Sequence, residues 1–403
     1  MALGPLPDFM QVQALLPFTF HAAFTALLGA VACAWVALAA QAALGIRRVP
    51  RLSWVAPLAD GALPSVSLLV SARDEAEKMP AALRSMLALD YPTYEVIVVD
   101  DRSGDTTPQI LREFSAGCKH LQAIRVEALP PGWLGKPHGL QTAYERSHGE
   151  WLVFTDADVR FEKESLRRAV SLALERGYDH LTLFPQMEMS GFWEKTLLTS
   201  FGVAFLLYTR PWAVPDPSSR TYIGIGAFQL LRRSAYERIG THRRLALEVV
   251  DDMKLGRLVK EAGLRSGAAR AEDLLSIRWH AGIGNIIRGT EKNFFAAAGF
   301  RLGAALVGSL ASLLLNVLPF AVLPFVTGWT RGFAALAAGI AVLTSAAAAM
   351  RGRASPLYGL THPLGALLFV YMGLRSTLLT LRQNGIYWRD TFYPLGELRR
   401  GAV

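Results

Sequence analysis

Three stretches of this chain are too long and too apolar to be ordinary core. Phe18 to Leu44 carries no formal charge, and neither Leu302 to Val326 nor Phe333 to Met350 carries one. A helix of about 20 such residues crosses roughly 30 Å of hydrocarbon, so each is a candidate span. The hydrophobic content of 52% agrees with a membrane protein rather than a soluble one. Between the first and second stretches lie about 250 mostly polar residues, enough for one soluble domain with its own core. The expected organisation is an anchor over 1–46, a soluble domain over 47–300 with an interfacial segment near 191–214, a membrane region over 301–382 and a basic, aromatic tail over 383–403.

Charge order sets the expected orientation. Asp8 precedes the first apolar run, and Arg47, Arg48 and Arg51 follow it, the reverse of a cleaved signal peptide. Basic residues gather on the cytoplasmic side, which puts the soluble domain in the cytoplasm of a cell with this inner-membrane anchor. From Arg351 to the end there are seven arginines against Asp390 and Glu397, a balance of plus five. The overall charge of +9 is thereby accounted for by anionic membrane lipids as partners, with no nucleic acid required. Pro363 to Leu374 is short for a span and reads as re-entrant or interfacial, giving two full crossings and a partial one after the soluble domain. Two cysteines, Cys33 and Cys118, make neither a disulfide framework nor a zinc site.

The soluble part alternates strand and helix patterns. Ser65–Ala72 and Tyr94–Asp101 read as buried strands, followed by helical patterns over Glu75–Leu89 and near Pro108–Ser115. "LQAIRVE" gives a third strand, and a helix from about Gly139 to Arg146 leads into "WLVFTDADV", Trp151 to Val159, a fourth. Such alternation predicts an α/β fold with a mostly parallel sheet and a ligand site beyond the carboxyl ends of its strands.

Four carboxylates end two of those strands: Asp100 and Asp101, then Asp156 and Asp158. Aspartate after a strand also caps helices, so each taken singly is ambiguous. Two clusters on one sheet edge repel unless a cation joins them, and a divalent metal with oxygen ligands suits them. Asp-Ala-Asp puts both carboxylates on one side of an extended chain. "GWLGKP" lacks the spacing and the Ser/Thr of a P-loop, and "GIG" at Gly224–Gly226 lacks the third glycine of a dinucleotide fingerprint; both read as tight turns.

In order, "SARDEAEKM", "YEVIVVDDRSGDTT", "PPGWLGKPHGLQTA", "FTDADV" and "EVVDDMKLGRLVKEAG" resemble the family 2 glycosyltransferases of GT-A fold, over roughly 66–263. The likeness is to their membrane-bound branch, which holds hopene-associated and carotenoid glycosyltransferases. It implies a metal-dependent, inverting transfer from a nucleotide sugar, UDP-linked by resemblance, to a lipid. By position it implies Ala72, Arg73, Glu75, Asp100 or Asp101 and Lys136 around the nucleotide. Asp156 and Asp158 look like the DxD pair for Mg²⁺ or Mn²⁺, with Asp158 the direct ligand, and Asp251 and Asp252 stand where the family has Glu-Asp. Asp252 is the candidate general base, at the start of a predicted helix over Val250–Ala262; helix capping is the alternative role.

Departures from the family narrow the reading. Polymer-forming relatives carry Gln-x-x-Arg-Trp late in the domain, and here "RGTEKNF" stands in its place, with Arg288 and Lys292 one helical turn apart and able to face a diphosphate or lipid. A processive polysaccharide synthase, a polyprenyl-phosphate glycosyltransferase and a non-catalytic nucleotide-binding scaffold are the alternatives. Leu197 to Trp212 reads as an interfacial helix, with Trp193 and Trp212 at head-group level. His280 reads as structural, and the tail is given no catalytic role.

Overall fold

A computed structural model describes the backbone from Phe9 and side chains from Phe20 to Val403; Asp8 and its neighbours, on which part of the orientation argument rests, lie outside the described residues. The chain opens with helix α1 (Phe9–Gly45) and then builds β1 (Val66–Ala72), α2 (Met79–Leu87), β2 (Tyr94–Asp101), α3 (Thr107–Gly117), β3 (Leu121–Val126), α4 (Gly135–Glu145) and β4 (Trp151–Asp156). It continues through β5 (Arg160–Phe161), α5 (Ser165–Arg176), β6 (His180–Phe184), β7 (Gln186–Met187), α6 (Gly191–Thr209), β8 (Gln229–Arg232), α7 (Arg233–Arg238), α8 (Asp251–Glu261), β9 (Ser266–Arg270) and β10 (Leu275–Ile277). The last part is α9 (Ile283–Ala297), α10 (Leu302–Asn316), α11 (Leu318–Val322), α12 (Gly328–Arg351), α13 (His362–Gln383), β11 (Gly385–Trp388), β12 (Thr391–Pro394) and α14 (Leu395–Arg400).

Seven strands form one sheet in the order β3-β2-β1-β4-β8-β6-β9. All pairs are parallel except those of β8, which runs against both β4 and β6. Strand alternation sends Leu68, Val70, Val96, Val98, Trp151 and Val153 into one apolar layer and Leu69, Ile97, Val99, Leu152 and Phe154 into the other. A sheet buried on both faces needs continuous apolar strands, which is why the runs read as they do. The helix expected from Glu75 starts at Met79, with Pro80 inside its first turn where no N–H is needed.

Among the described residues, Phe20–Arg48, Gly328–Arg351 and Pro356–Gln383 are long and apolar enough to cross a membrane. The stretch Leu302 to Val326, expected as one unbroken span, is broken. α10 stops at Asn316, and α11 restarts with Pro319 in its first turn. Proline has no N–H for the carbonyl four residues back, that of Leu315. The indole of Trp35 on α1 donates to that carbonyl instead, at 2.9 Å. α9 and α10 meet at 113°, so the chain turns sharply as it enters this bundle.

α13 differs from the expected short segment in the opposite way: it is continuous, and at 1.5 Å per residue about 33 Å long. Both ends of Pro356–Gln383 lie beside the α/β domain, because Arg353 pairs with Asp273 at 3.2 Å and Arg389 with Glu75 at 2.9 Å. Its inner face packs on α6 at Gly365, where any Cβ would overlap Ser200. Its outer face exposes Leu364, Leu367, Tyr371, Leu374, Leu378 and Leu381 at helical spacing. His362, at its start, is buried between Ser345 Oγ at 2.7 Å and Asn316 Oδ1 at 3.1 Å, tying α12, α13 and α10 together.

Candidate active site

β4 runs apolar until its carboxyl end because that end leaves the core and opens on a cavity of about 650 Å³. Asp156, Ala157 and Asp158 all line it, and the small side chain of Ala157 also packs into the core. Asp156 takes a hydrogen bond from Lys136 Nζ at 2.6 Å, and Asp158 from Lys78 Nζ at 2.7 Å. Lys78 also donates to the carbonyls of Arg278 and Trp279 at 3.0 and 3.2 Å. The N-terminus of α8 delivers Asp251 and Asp252 to the same cavity, Asp251 lying 3.9 Å from Lys136. No side chain caps that helix; Asp252 instead accepts from the backbone N–H of Gly226 at 3.0 Å and of Met253 at 2.8 Å.

The glycines of "GIG" are close-approach positions, and Gly226 also sits in the tight turn that the Phe228 N–H closes on the Ile225 carbonyl at 3.0 Å. Neither Gly224 nor Gly226 has a positive φ. A Cβ on Gly226 would sit 2.7 Å from Asp156 Oδ2, and one on Gly224 would overlap the Asp252 carbonyl. Backbone without side chains is what lets β4 and α8 bring their carboxylates together.

Of the residues singled out in the sequence, Arg73, Glu75, Asp101, Lys136, Asp156, Asp158, Asp251, Asp252, Arg288 and Lys292 line the cavity. Ala72 and Asp100 do not. Alternation along the strand points Ala72 into the core, and Asp100 is buried, accepting from the Ser103 N–H at 3.1 Å and from Arg125 at 3.0 Å. Its role in this arrangement is to hold the turn after β2. Asp101 pairs with Arg102 at 2.7 Å. Sequence reasoning passed over Lys78, although it stands inside "SARDEAEKM", and it gave the tail no place here. The hairpin β11–β12 nevertheless closes one wall: Trp388 lies under the Lys292 ammonium at 3.9 Å, Arg389 pairs with Glu75, and Asp390 with Arg73 at 3.1 Å. His280 also faces the cavity, packed on Gly289, with burial and then Lys78 holding its pKa below the usual value. Trp193 is half exposed at the start of α6, whereas Trp212 packs against Gly45 at the end of α1.

Burial raises the carboxyl pKa of Asp158, with Asp156 adding to it, and raises that of Glu75, with Asp158 adding. Asp251 and Asp252 are also pushed up by burial, against the pull of Lys136. Burial works against the Lys136 charge, but Asp156, Asp251 and Asp252 outweigh it and hold the ammonium above the ordinary lysine range. Lys292 goes the other way: burial and then Lys136 lower it to about 8. Crowded oxygen donors with raised pKa values are what a divalent cation relieves. Among the described residues no group of three or more such ligands is gathered at one point. Asp156 and Asp158 are two carboxylates, the number that holds a cation of the Mg²⁺ type when phosphates supply the remaining oxygens.

A second cavity, of about 330 Å³, lies against the first and is mainly apolar. Leu198, Phe201, Gly202, Phe205 and Leu206 of α6 form one side, and Ile46 and Ala348 bring in the ends of α1 and α12. Asp156, Asp252, Ile277 and Trp279 line both cavities. A polar chamber and an apolar chamber at the ends of two candidate spans thus share a wall, and two carboxylates stand in it.

Residues 67–240 match the model of the family described as Glycosyl transferase family 2. The chain is 24% identical to 4,4'-diaponeurosporenoate glycosyltransferase of Staphylococcus haemolyticus, across 58% of this chain and 62% of that one. It is 35% identical to beta-monoglucosyldiacylglycerol synthase of Trichormus variabilis, across 28% and 24%. These matches span less than two thirds of either relative's length. A mannosyltransferase from Pyrobaculum calidifontis, solved with GDP-Man and Mn²⁺, superimposes with a TM-score of 0.49 at 21% identity, covering 88% of this chain and 98% of that one. Residues 67–240 thus form a family 2 glycosyltransferase domain, and the chain resembles carotenoid-directed members of that family.

Proposed function

We propose that this chain is a membrane-integral, inverting glycosyltransferase that moves one sugar from a nucleotide-sugar donor to a hydroxyl of a lipid, with its α/β domain facing the cytoplasm. The observation that carries the reading is the shared wall: Asp156 and Asp252 line both the polar chamber and the apolar one. A lipid seated in the apolar chamber brings its hydroxyl to a carboxylate with no large head group between. The names of the two relatives, a carotenoid-acid glycosyltransferase and a diacylglycerol glycolipid synthase, agree with a lipid acceptor.

In this scheme Asp252 takes the acceptor proton as the new bond forms. Its raised pKa makes it a stronger base than an exposed aspartate, and the Gly226 and Met253 N–H groups fix its orientation. Lys136, Arg288 and Lys292 supply positive charge to the donor's diphosphate, and Arg389 flanks them on the hairpin. Mg²⁺ or Mn²⁺ held by Asp158 and Asp156 would supply Lewis-acid stabilisation of the departing nucleotide. Arg73, Glu75 and Asp101 then bound the nucleotide side of the chamber.

The test uses the full chain in a lipid extract with Mn²⁺ or Mg²⁺ and a panel of radiolabelled nucleotide sugars. Label should enter the organic phase from one donor, and Asp252→Asn should lower it by about 10²–10⁴-fold, the usual worth of a general base, with nucleotide binding retained. Undiminished label in the variant would overturn the hydroxyl-acceptor mechanism in favour of a phosphate acceptor, which needs no base. Label in a long polymer would point to a processive synthase.

A further inference from the structure

Four arginines come together where α12 ends against the α/β domain: Arg51, Arg270, Arg351 and Arg353. Two of them are already used. Arg51 and Arg353 share Asp273, at 2.7 and 3.2 Å. Arg270 and Arg351 are different: both line the apolar chamber, and among the described residues neither has a carboxylate within 4.0 Å or a side-chain hydrogen bond. The Arg270 Nε is buried with no acceptor, and its backbone N–H is committed to Pro50 at 2.8 Å, so the strand end is fixed. Glu272 lines the same chamber without pairing to either guanidinium. Gln186 is buried as well, and its Oε1 has no donor.

A buried guanidinium nitrogen left without an acceptor is costly, and two unpaired guanidinium groups beside each other repel. One anion relieves both problems. Its place in the fold says where that anion comes from: Arg351 ends a candidate span, and Arg270 is on β9, three strand spacings or about 14 Å from β4 and its carboxylates. The site is thus at the membrane mouth of the apolar chamber and too far from Asp156 to belong to the donor diphosphate. We propose that Arg270 and Arg351 bind the acidic head group of a membrane phospholipid, with its acyl chains continuing along the apolar faces of α6 and α12. The Gln186 Oε1 adds a preference for a head group that also carries a hydroxyl, as a glycerol phosphate does.

Lipid retention tests this without turnover, so it stands or falls separately from the transfer reaction. The full chain in mild detergent is titrated with phosphatidylglycerol or phosphatidylcholine, and bound lipid is counted by native mass spectrometry. The native chain should prefer phosphatidylglycerol. Each arginine near a charged lipid surface is worth about fivefold, so Arg351→Gln and Arg270→Gln should each cut the preference about that much, and the pair should abolish it. Arg351 is exposed at a helix end, so its variant alone keeps the test valid if Arg270→Gln unfolds. A native chain that binds both lipids equally, or an Arg351→Gln variant that keeps the full preference, overturns the proposal.

Discussion

Lys292 is a cation that the fold weakens and a bound diphosphate would restore. Burial and Lys136 lower its pKa to about 8, and its ammonium lies over Trp388. Below that value the amine is charged, and above it neutral, so nucleoside-diphosphate affinity should fall about tenfold between pH 7 and 9.5, in line with loss of one charge-assisted hydrogen bond. Titration calorimetry checks this, and Lys292→Arg, charged throughout that range, should give a flat profile. The same shift has a stability sign: the folded pKa is below the unfolded one, near 10.5, so the ligand-free protein gains stability as pH rises from about 8 towards 10.5. At this scale the sequence was informative where chemistry is local. Asp156 and Asp158 are recognisable because two carboxylates flank one small residue at a strand end. Lys78 and Arg389 were not, because a lysine or arginine declares its partner only once the chain is folded; the choice between Asp100 and Asp101 likewise waited on which way the turn after β2 faces.

α6 packs against α1, α12 and α13, the helices apolar enough to cross a membrane. Its Gly202 lines the apolar chamber, and a Cβ placed there meets nothing within 4 Å. Gly202→Phe should therefore fold, with helix propensity slightly improved by the loss of glycine, while its ring fills the chamber. Transfer to lipid should drop at least about tenfold, since a loss near 1.4 kcal/mol of binding gives that factor, and nucleotide affinity should not move. Equal loss of both would mean the chambers are not separate. Hydropathy found α1 and α12 directly, because uncharged length is a property of composition. It could not see the break at Pro319, where the outcome depends on Trp35 being close enough to take the freed Leu315 carbonyl. Nor could it tell a helix that lies on the domain from one that leaves it, and α13 is apolar enough for either.

For the whole molecule, the tie points give a topology. Residues 302–326 include the two helices α10 and α11, α12 is followed by Arg353, which reaches Asp273, and the residues flanking Pro356–Gln383 pair with the domain through Arg353 and Arg389. On the proposed membrane-integral reading with a cytoplasmic α/β domain, a reporter enzyme active only outside the cytoplasm should work when fused after Thr327 and fail when fused after Ala354 or Val403; activity at the last site would require α13 to cross. The alternating strands were enough to predict an α/β sheet, and the antiparallel entry of β8 was not visible because four residues carry little pattern. One feature of this architecture reaches beyond site geometry. Asp156, Asp252, Ile277 and Trp279 are the common partition between the two chambers, so on the proposed reading each substrate acts as the stopper for the other's compartment. Water competes with lipid for the activated sugar only while the apolar side stands empty, and the protection of the donor from wasteful hydrolysis then follows from how well the surrounding bilayer keeps that side filled.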